Sequence, residues 1–271
     1  MMAYRDIILS DGFTIIPKFL SATEVVELQK LNHVTLPEKG HHVNLGWQPT
    51  DVYPKIEYQH YWSVQIKEQT EWLQEKLHPI ISDIMQECYS WFAVDFHVAN
   101  PGSNYIHAHI DSPYQFRPWH ENTELLGVQC LIAVEDFTLE NGATCIVPGS
   151  HNNHYPLDTI GSDELNNEML DQGYNFVAPA GSILLYHPRS LHSTMPNYSS
   201  APRTAMLMLA IRPDIWTSLL PYHGMPKKQP CVFKKVDGCT RWPVCICARD
   251  NNDKWNSAGE GNFRYEQIKN T

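Results

Sequence analysis

Between Trp91 and Arg212 the chain is a succession of short apolar runs separated by turn signals, and this spacing most constrains the fold. The runs are Trp91 to Ala99, Tyr105 to Asp111, residues 125 to 135, Thr144 to Val147, Ser182 to His187 and Thr204 to Arg212. Between them stand Asn100-Pro101-Gly102, Glu140-Asn141-Gly142, Pro148-Gly149-Ser150-His151 and Ala178-Pro179-Ala180-Gly181, rich in the residues that tight turns demand. Several short strands punctuated in this way predict a mostly β barrel or jelly roll. The run at 125–135 is almost continuously apolar and is expected to be covered on both faces. Asn141-Gly142, beside it, is a strong hairpin signal.

The N-terminal part predicts helices around that barrel. Residues 11 to 20 alternate loosely and contain Pro17, which suits a short edge strand. Ser21 and Glu24 form a capping box, and Val25, Val26, Leu28 and Leu31 follow as a helical stripe. Residues 33 to 61 have no sustained period and read as a lid or binding loop. From 67 to 90, Trp72, Leu73, Leu77, Ile80, Ile81, Ile84, Met85 and Cys88 recur at helical spacing around Pro79, predicting one kinked helix or two consecutive ones. Residues 152 to 175 are acidic and predict a surface excursion with a short helix near 163–170. No repeat or second domain is evident, so residues 1–271 are read as one domain.

Composition narrows the function. The 271 residues are 42% apolar and 18% charged, an ordinary globular balance. Lys plus Arg is 20 and Asp plus Glu is 30, a net charge of −10 that argues against nucleic acid as the partner. The N-terminus lacks a basic start followed by an apolar run, and no apolar stretch is long enough to span a bilayer. A cytoplasmic protein acting on a small molecule away from membranes, monomeric or homodimeric, is expected. Of seven cysteines, Cys88, Cys130 and Cys145 lie in apolar surroundings where a reduced thiol acts as a small hydrophobe. Cys231, Cys239, Cys245 and Cys247 cluster near the C-terminus without the paired spacing of a zinc ribbon.

The chemistry is suggested by Tyr105-Ile106-His107-Ala108-His109-Ile110-Asp111. In an extended chain alternate side chains share a face, so His107, His109 and Asp111 project together. His-x-Asp occurs by chance in many chains, and a metal on His109 and Asp111 needs a third ligand from elsewhere. His187 and His192 both qualify. Two histidines and one carboxylate with open positions is the ligand set of non-haem Fe(II) oxygenases.

The order of these features resembles the phytanoyl-CoA dioxygenase family of Fe(II)- and 2-oxoglutarate-dependent oxygenases. The resemblance covers about residues 10–212 and leaves 213–271 as an extension without assigned role. It rests on Asp11-Gly12-Phe13 before the capped helix, His109-x-Asp111, Glu140-Asn141-Gly142 leading to Pro148-Gly149-Ser150-His151, Gly181 to Tyr186, and His192 followed by Pro196-Asn197 and Arg203. It implies a double-stranded β-helix, the cupin-like jelly roll, with N-terminal helices packed outside. It also implies His192 as third iron ligand, leaving His187 as a strand-end residue with a satisfied hydrogen bond. Arg203 and Thr194 are implied at the distal carboxylate of 2-oxoglutarate. A planar, permanently charged fork suits that buried group better than lysine. Gln129 and Thr144 are further candidates for the cosubstrate. His107 is read as steadying the site from behind, His151 as closing a turn, and residues 112–124 as meeting substrate or packing on the helices. The family chemistry consumes O2 and 2-oxoglutarate, releases succinate and carbon dioxide, and hydroxylates an unactivated C–H bond. The rivals are a halogenase of the same fold, which lacks the carboxylate ligand that Asp111 supplies here, a non-catalytic binding module, and a zinc hydrolase that would leave Arg203 unexplained.

Overall fold

The computed structural model describes residues 3–35, 60–62, 66, 68–111, 113–115, 120–215, 231–236 and 239–245. Helix α1 (Tyr4–Asp11), strand β1 (Phe13–Ile16) and helix α2 (Ala22–Thr35) open the chain. Strand β2 (His60–Trp62), helix α3 (Glu71–Met85) and strand β3 (Ser90–Ala99) follow. Then come β4 (Gly127–Ala133), β5 (Thr144–Ile146), helix α4 (Asp163–Gln172), β6 (Tyr174–Asn175), β7 (Ile183–Tyr186), β8 (His192–Thr194) and β9 (Arg203–Ile211). A hairpin of β10 (Cys231–Val236) and β11 (Cys239–Cys245) follows.

The larger sheet has the order β1-β7-β4-β9-β3-β2, antiparallel throughout, and the smaller has the order β6-β5-β8. The period of two along each strand divides the larger sheet into two faces. Val94, Phe96, Val128, Cys130, Ile132, Ile183, Leu185, Met206 and Met208 pack outward in one core with Ile8, Leu28, Leu73, Leu77, Ile81 and Ile84 from the helices. Leu131, Ala133, Leu184, Tyr186 and Ala205 pack inward with Ile146 of the smaller sheet and with Phe137 and Phe176. Helices thus cover the outside of a barrel whose interior lies between two sheets, the expected jelly roll. β1 is an edge strand, as Pro17 predicts.

Several local expectations change. The capping box forms in both directions, with the Ser21 amide donating to Glu24 Oε2 at 2.7 Å and the Glu24 amide donating to Ser21 Oγ at 3.3 Å. Val25 and Leu28 are buried, but Val26 is 45% exposed and leaves the stripe. α3 is one helix with Pro79 inside it, and Cys88 lies beyond its end, exposed rather than internal. Tyr105 to Asp111 is not a regular strand; only His109 pairs, through an isolated bridge to His192. Asn141-Gly142 joins strands of different sheets instead of closing a hairpin. The 152–175 excursion is not wholly superficial, because α4 buries Leu165, Asn166 and Met169. Apart from β2, the 33–61 loop lies mostly outside the described residues, as do Cys247 and most of the C-terminal extension. No helix of the described residues is long and apolar enough to cross a membrane.

Candidate metal and cosubstrate site

The two histidines of the candidate triad are held opposite each other by backbone pairing. The His109 amide donates to the His192 carbonyl and the His192 amide to the His109 carbonyl, both at 3.0 Å. Further along, the Ile106 amide donates to the Thr194 carbonyl at 2.9 Å and the Asp111 amide to the Pro188 carbonyl at 2.7 Å. The segment therefore stays extended without a full ladder. Ile106, Ala108 and Ile110 are buried while His107, His109 and Asp111 are half-buried, so the alternation read from the sequence holds.

Ligand atoms of His109, Asp111 and His192 all lie within 4.8 Å of one another. Nε2 of His109 is 3.9 Å from Asp111 Oδ1, and Nε2 of His192 is 3.4 Å from Asp111 Oδ2. Both rings have Nδ1 against a carbonyl, His109 against that of His107 at 2.8 Å and His192 against that of Ser190 at 2.9 Å. An Nδ1–H bonded to a carbonyl fixes the tautomer and leaves the Nε2 lone pair free for a metal. Burial pushes the His109 pKa down to about 4, so its ring is neutral at neutral pH.

Tyr186, which the sequence reading passed over, donates its hydroxyl to Asp111 Oδ2 at 3.1 Å and stands 3.2 Å from His192 Nε2. Burial beside Asp111 raises its pKa well above the usual phenol value, so it stays a donor. His97 was missed too. It is buried beside His60, with Nε2 3.2 Å from His60 Nδ1. Its pKa is held well below the usual value, chiefly by burial and then by the charges of Arg203, His60 and His109. His97 is thus close enough to feel Arg203, His60 and His109 at once.

Arg203 is completely buried at the start of β9. Its Nη2 donates to the Gly142 carbonyl at 2.8 Å and its guanidinium lies over the Phe137 ring, 4.6 Å from the centroid. Nε and Nη1 have no hydrogen-bond partner among the described residues. Glu135 pulls on it electrostatically but spends Oε2 on the Thr204 amide at 2.6 Å. Burial lowers the Arg203 pKa to about 10, still far above neutrality. Gly142 has φ +82 and a Cβ there would meet the Met195 carbonyl at 2.5 Å. Only glycine brings its own carbonyl to this guanidinium.

Gln129 and Thr144 are buried, and Gln129 Oε1 and Thr144 Oγ1 are likewise without partners among the described residues. Thr144 pairs with Thr194 across β5 and β8, while Gln129 pairs with Tyr186 across β4 and β7. Two walls of one interior therefore carry unspent polar groups.

The remaining candidates fall around this centre. His107 Nδ1 accepts from the Asn166 amide group of α4 at 3.0 Å, and its carbonyl orients His109. His151 lies in a 3-10 turn, and its Nε2 is 3.1 Å from the Leu9 carbonyl of α1, so its ring ties the turn to that helix rather than closing the turn itself. His187 sits just past β7. Its Nδ1 accepts from the Arg189 amide at 3.1 Å, but its buried Nε2 has no partner among the described residues, so the expected satisfaction is only half met. In the 112–124 loop, Tyr114 is buried, and its hydroxyl donates to the Glu124 carbonyl and accepts from the Leu126 amide, which ties the start of the loop to the residues just before β4.

Comparison with known proteins bears on the family and the fold. The family profile described as Phytanoyl-CoA dioxygenase (PhyH) matches residues 8–205. A protein of Stutzerimonas stutzeri described as a probable alpha-ketoglutarate-dependent hypophosphite dioxygenase is 24% identical over 231 residues, 78% of each chain. Among solved structures, the non-heme alpha ketoglutarate dependent carbocyclase SnoK from nogalamycin biosynthesis superposes with TM-score 0.60 at 21% identity, covering 77% of this chain and 82% of that one. EctD from S. alaskensis with bound Fe superposes with TM-score 0.58 at 16% identity, covering 78% and 76%. These likenesses are of fold.

Proposed function

The chain belongs to the phytanoyl-CoA dioxygenase family of Fe(II)- and 2-oxoglutarate-dependent oxygenases, and from that membership we propose that it hydroxylates an unactivated C–H bond of a small molecule. In this reading His109, Asp111 and His192 hold the iron. Arg203 anchors the distal carboxylate of 2-oxoglutarate with Thr194, Thr144 and Gln129 around it. The observation that carries the reading is a fully buried guanidinium with two unspent nitrogens, in the same interior as two histidines with Nε2 turned to one carboxylate. A buried charge needs a partner, and the fork matches a carboxylate. The donors fit the group.

When bound, iron and 2-oxoglutarate supply the oxidising power, with O2 consumed and succinate and carbon dioxide released. The chain's own work is orientation and exclusion. The paired backbones of His109 and His192 fix the ligand spacing, and Tyr186 fixes the carboxylate of Asp111. Neutral His97 stands beside Arg203 without adding charge. Phe137, Phe176, Ile146 and Leu131 line the interior with apolar surface and keep water from the oxidising centre. Asp111 favours hydroxylation over halogenation, since it fills the position a halide would take. The buried thiols of Cys130 and Cys145, free in the structure, suit the reducing cytoplasm, and the whole chain is read as one domain.

Anaerobic titration of the Fe(II) protein with 2-oxoglutarate, followed by its metal-to-ligand charge-transfer band, tests the reading. Saturable growth of the band is expected, with succinate release once O2 and a substrate are admitted. An iron-loaded protein that develops no band would overturn the proposal.

A further inference from the structure

We propose that His120, Glu121 and His154 form a second divalent-metal site, of zinc type, that clips the loop after Asp111 to the loop after β5. Ligand atoms of these three residues all lie within 4.8 Å of one another. His154 Nδ1 is 3.1 Å from Glu121 Oε2, and the His120 and His154 ring centroids are 5.7 Å apart. Such a pair at the surface could be an ordinary ion contact. The state of His120 argues for more.

His120 is 5% exposed, and its Nδ1 is 2.9 Å from the Tyr114 carbonyl. Its Nε2 is buried with no partner among the described residues. This is the arrangement of His109 and His192, in which a carbonyl takes the Nδ1 proton and the Nε2 lone pair is left for a cation. A buried imidazole nitrogen with nothing to bond is costly, and a metal held also by Glu121 and His154 removes that cost. Two histidines, one carboxylate and a water make a four-coordinate site that zinc accepts readily.

The frame around the cluster is built. Arg189 is buried, and its Nη1 donates to the Asn122 carbonyl at 2.8 Å and its Nη2 to the Asn153 carbonyl at 2.9 Å. The residues next to Glu121 and His154 are thereby pinned to one guanidinium, which spends these donors on carbonyls rather than on the Glu121 carboxylate. The side chains of Glu121 and His154 are 74% and 55% exposed, so a metal can reach them from solvent without passing the interior.

The test is zinc content. Protein freed of metal by chelation is loaded with excess Zn2+, desalted and assayed for zinc per chain. The parent should carry one equivalent more than Glu121→Ala or His154→Ala, whose exposed side chains can be removed without disturbing the fold. His109→Ala should lose a different equivalent, so that the His109→Ala/His154→Ala double variant loses two. Loading with Co2+ gives a second readout. His154→Cys puts a thiolate on the ion and should add a thiolate-to-cobalt charge-transfer absorption that the parent lacks. If Glu121→Ala and His154→Ala hold as much zinc as the parent and His154→Cys shows no such absorption, the cluster is a surface ion pair and the proposal falls.

Discussion

Truncating Arg203 to Ala should leave the far carboxylate of 2-oxoglutarate buried with no charge opposite it, a loss of about 3–5 kcal/mol or roughly two to four orders of magnitude in affinity. Iron content should not change. Arg203→Lys should recover only part of the binding, because an ammonium restores charge without the fork, and unchanged affinity in Arg203→Ala would move the anchor elsewhere. The triad gives the complementary result: His109→Ala and His192→Ala should fail to retain stoichiometric iron by metal analysis. Tyr186 adds a subtler expectation. Its hydroxyl donates to Asp111, and partners of this kind commonly set metal affinity within 10- to 100-fold. Tyr186→Phe should therefore weaken Fe(II) by roughly that factor in a chelator competition while leaving 2-oxoglutarate affinity of the loaded protein nearly unaltered; equal iron affinity would make the phenol a space-filler.

Helix α2 shows how one cap works at the scale of an element. Ser21 and Glu24 satisfy each other's amides, and Glu24 also meets Lys76 of α3 at 2.6 Å. Ser21→Ala should cost about 0.5–2 kcal/mol in denaturant unfolding. The Glu24 pKa is lowered, chiefly by its bond to Lys76. Its contribution is present above the ordinary carboxylate pKa and disappears as pH falls through the depressed folded value, so the Ser21→Ala deficit should shrink in acid. Elements with strong periodic signals were legible in this way: α2 by its cap, β3, β4, β7 and β9 by apolar runs, α4 by its acidic start. α1 was not, because it buries only Ile8 and has no side-chain cap. Of the candidate triad, local spacing reached only His109 and Asp111, and the family resemblance supplied His192. His109 and Asp111 share one short segment, whereas Tyr186 reaches Asp111 across 75 residues of sequence and reads locally as one more apolar strand residue. His97 hides in β3 for the same reason.

Across the molecule, buried neutral histidines set the response to acid. Burial lowers the pKa of His60 and His109 to about 4 and of His187 to about 3, and holds that of His97 well below its ordinary value. The unfolded chain takes up protons near pH 6.5 that the folded one refuses, so stability is greatest above that pH and falls as pH drops toward the folded values. Each such histidine contributes at most about 1.4 kcal/mol per pH unit. Melting of the metal-free protein should shift downward steadily between pH 6.5 and 4.5, and a constant midpoint across that window would contradict the neutral burial of these rings. The reciprocal bonds between His109 and His192 carry one more consequence. Each of the two amides is shielded by the other residue's carbonyl, so neither can trade its hydrogen for deuterium until both segments part. Once each is divided by its intrinsic rate, the two amides should therefore report one common opening free energy, and both should slow together when a metal locks the two rings, making this pair of amides a gauge of occupancy that needs neither substrate nor turnover.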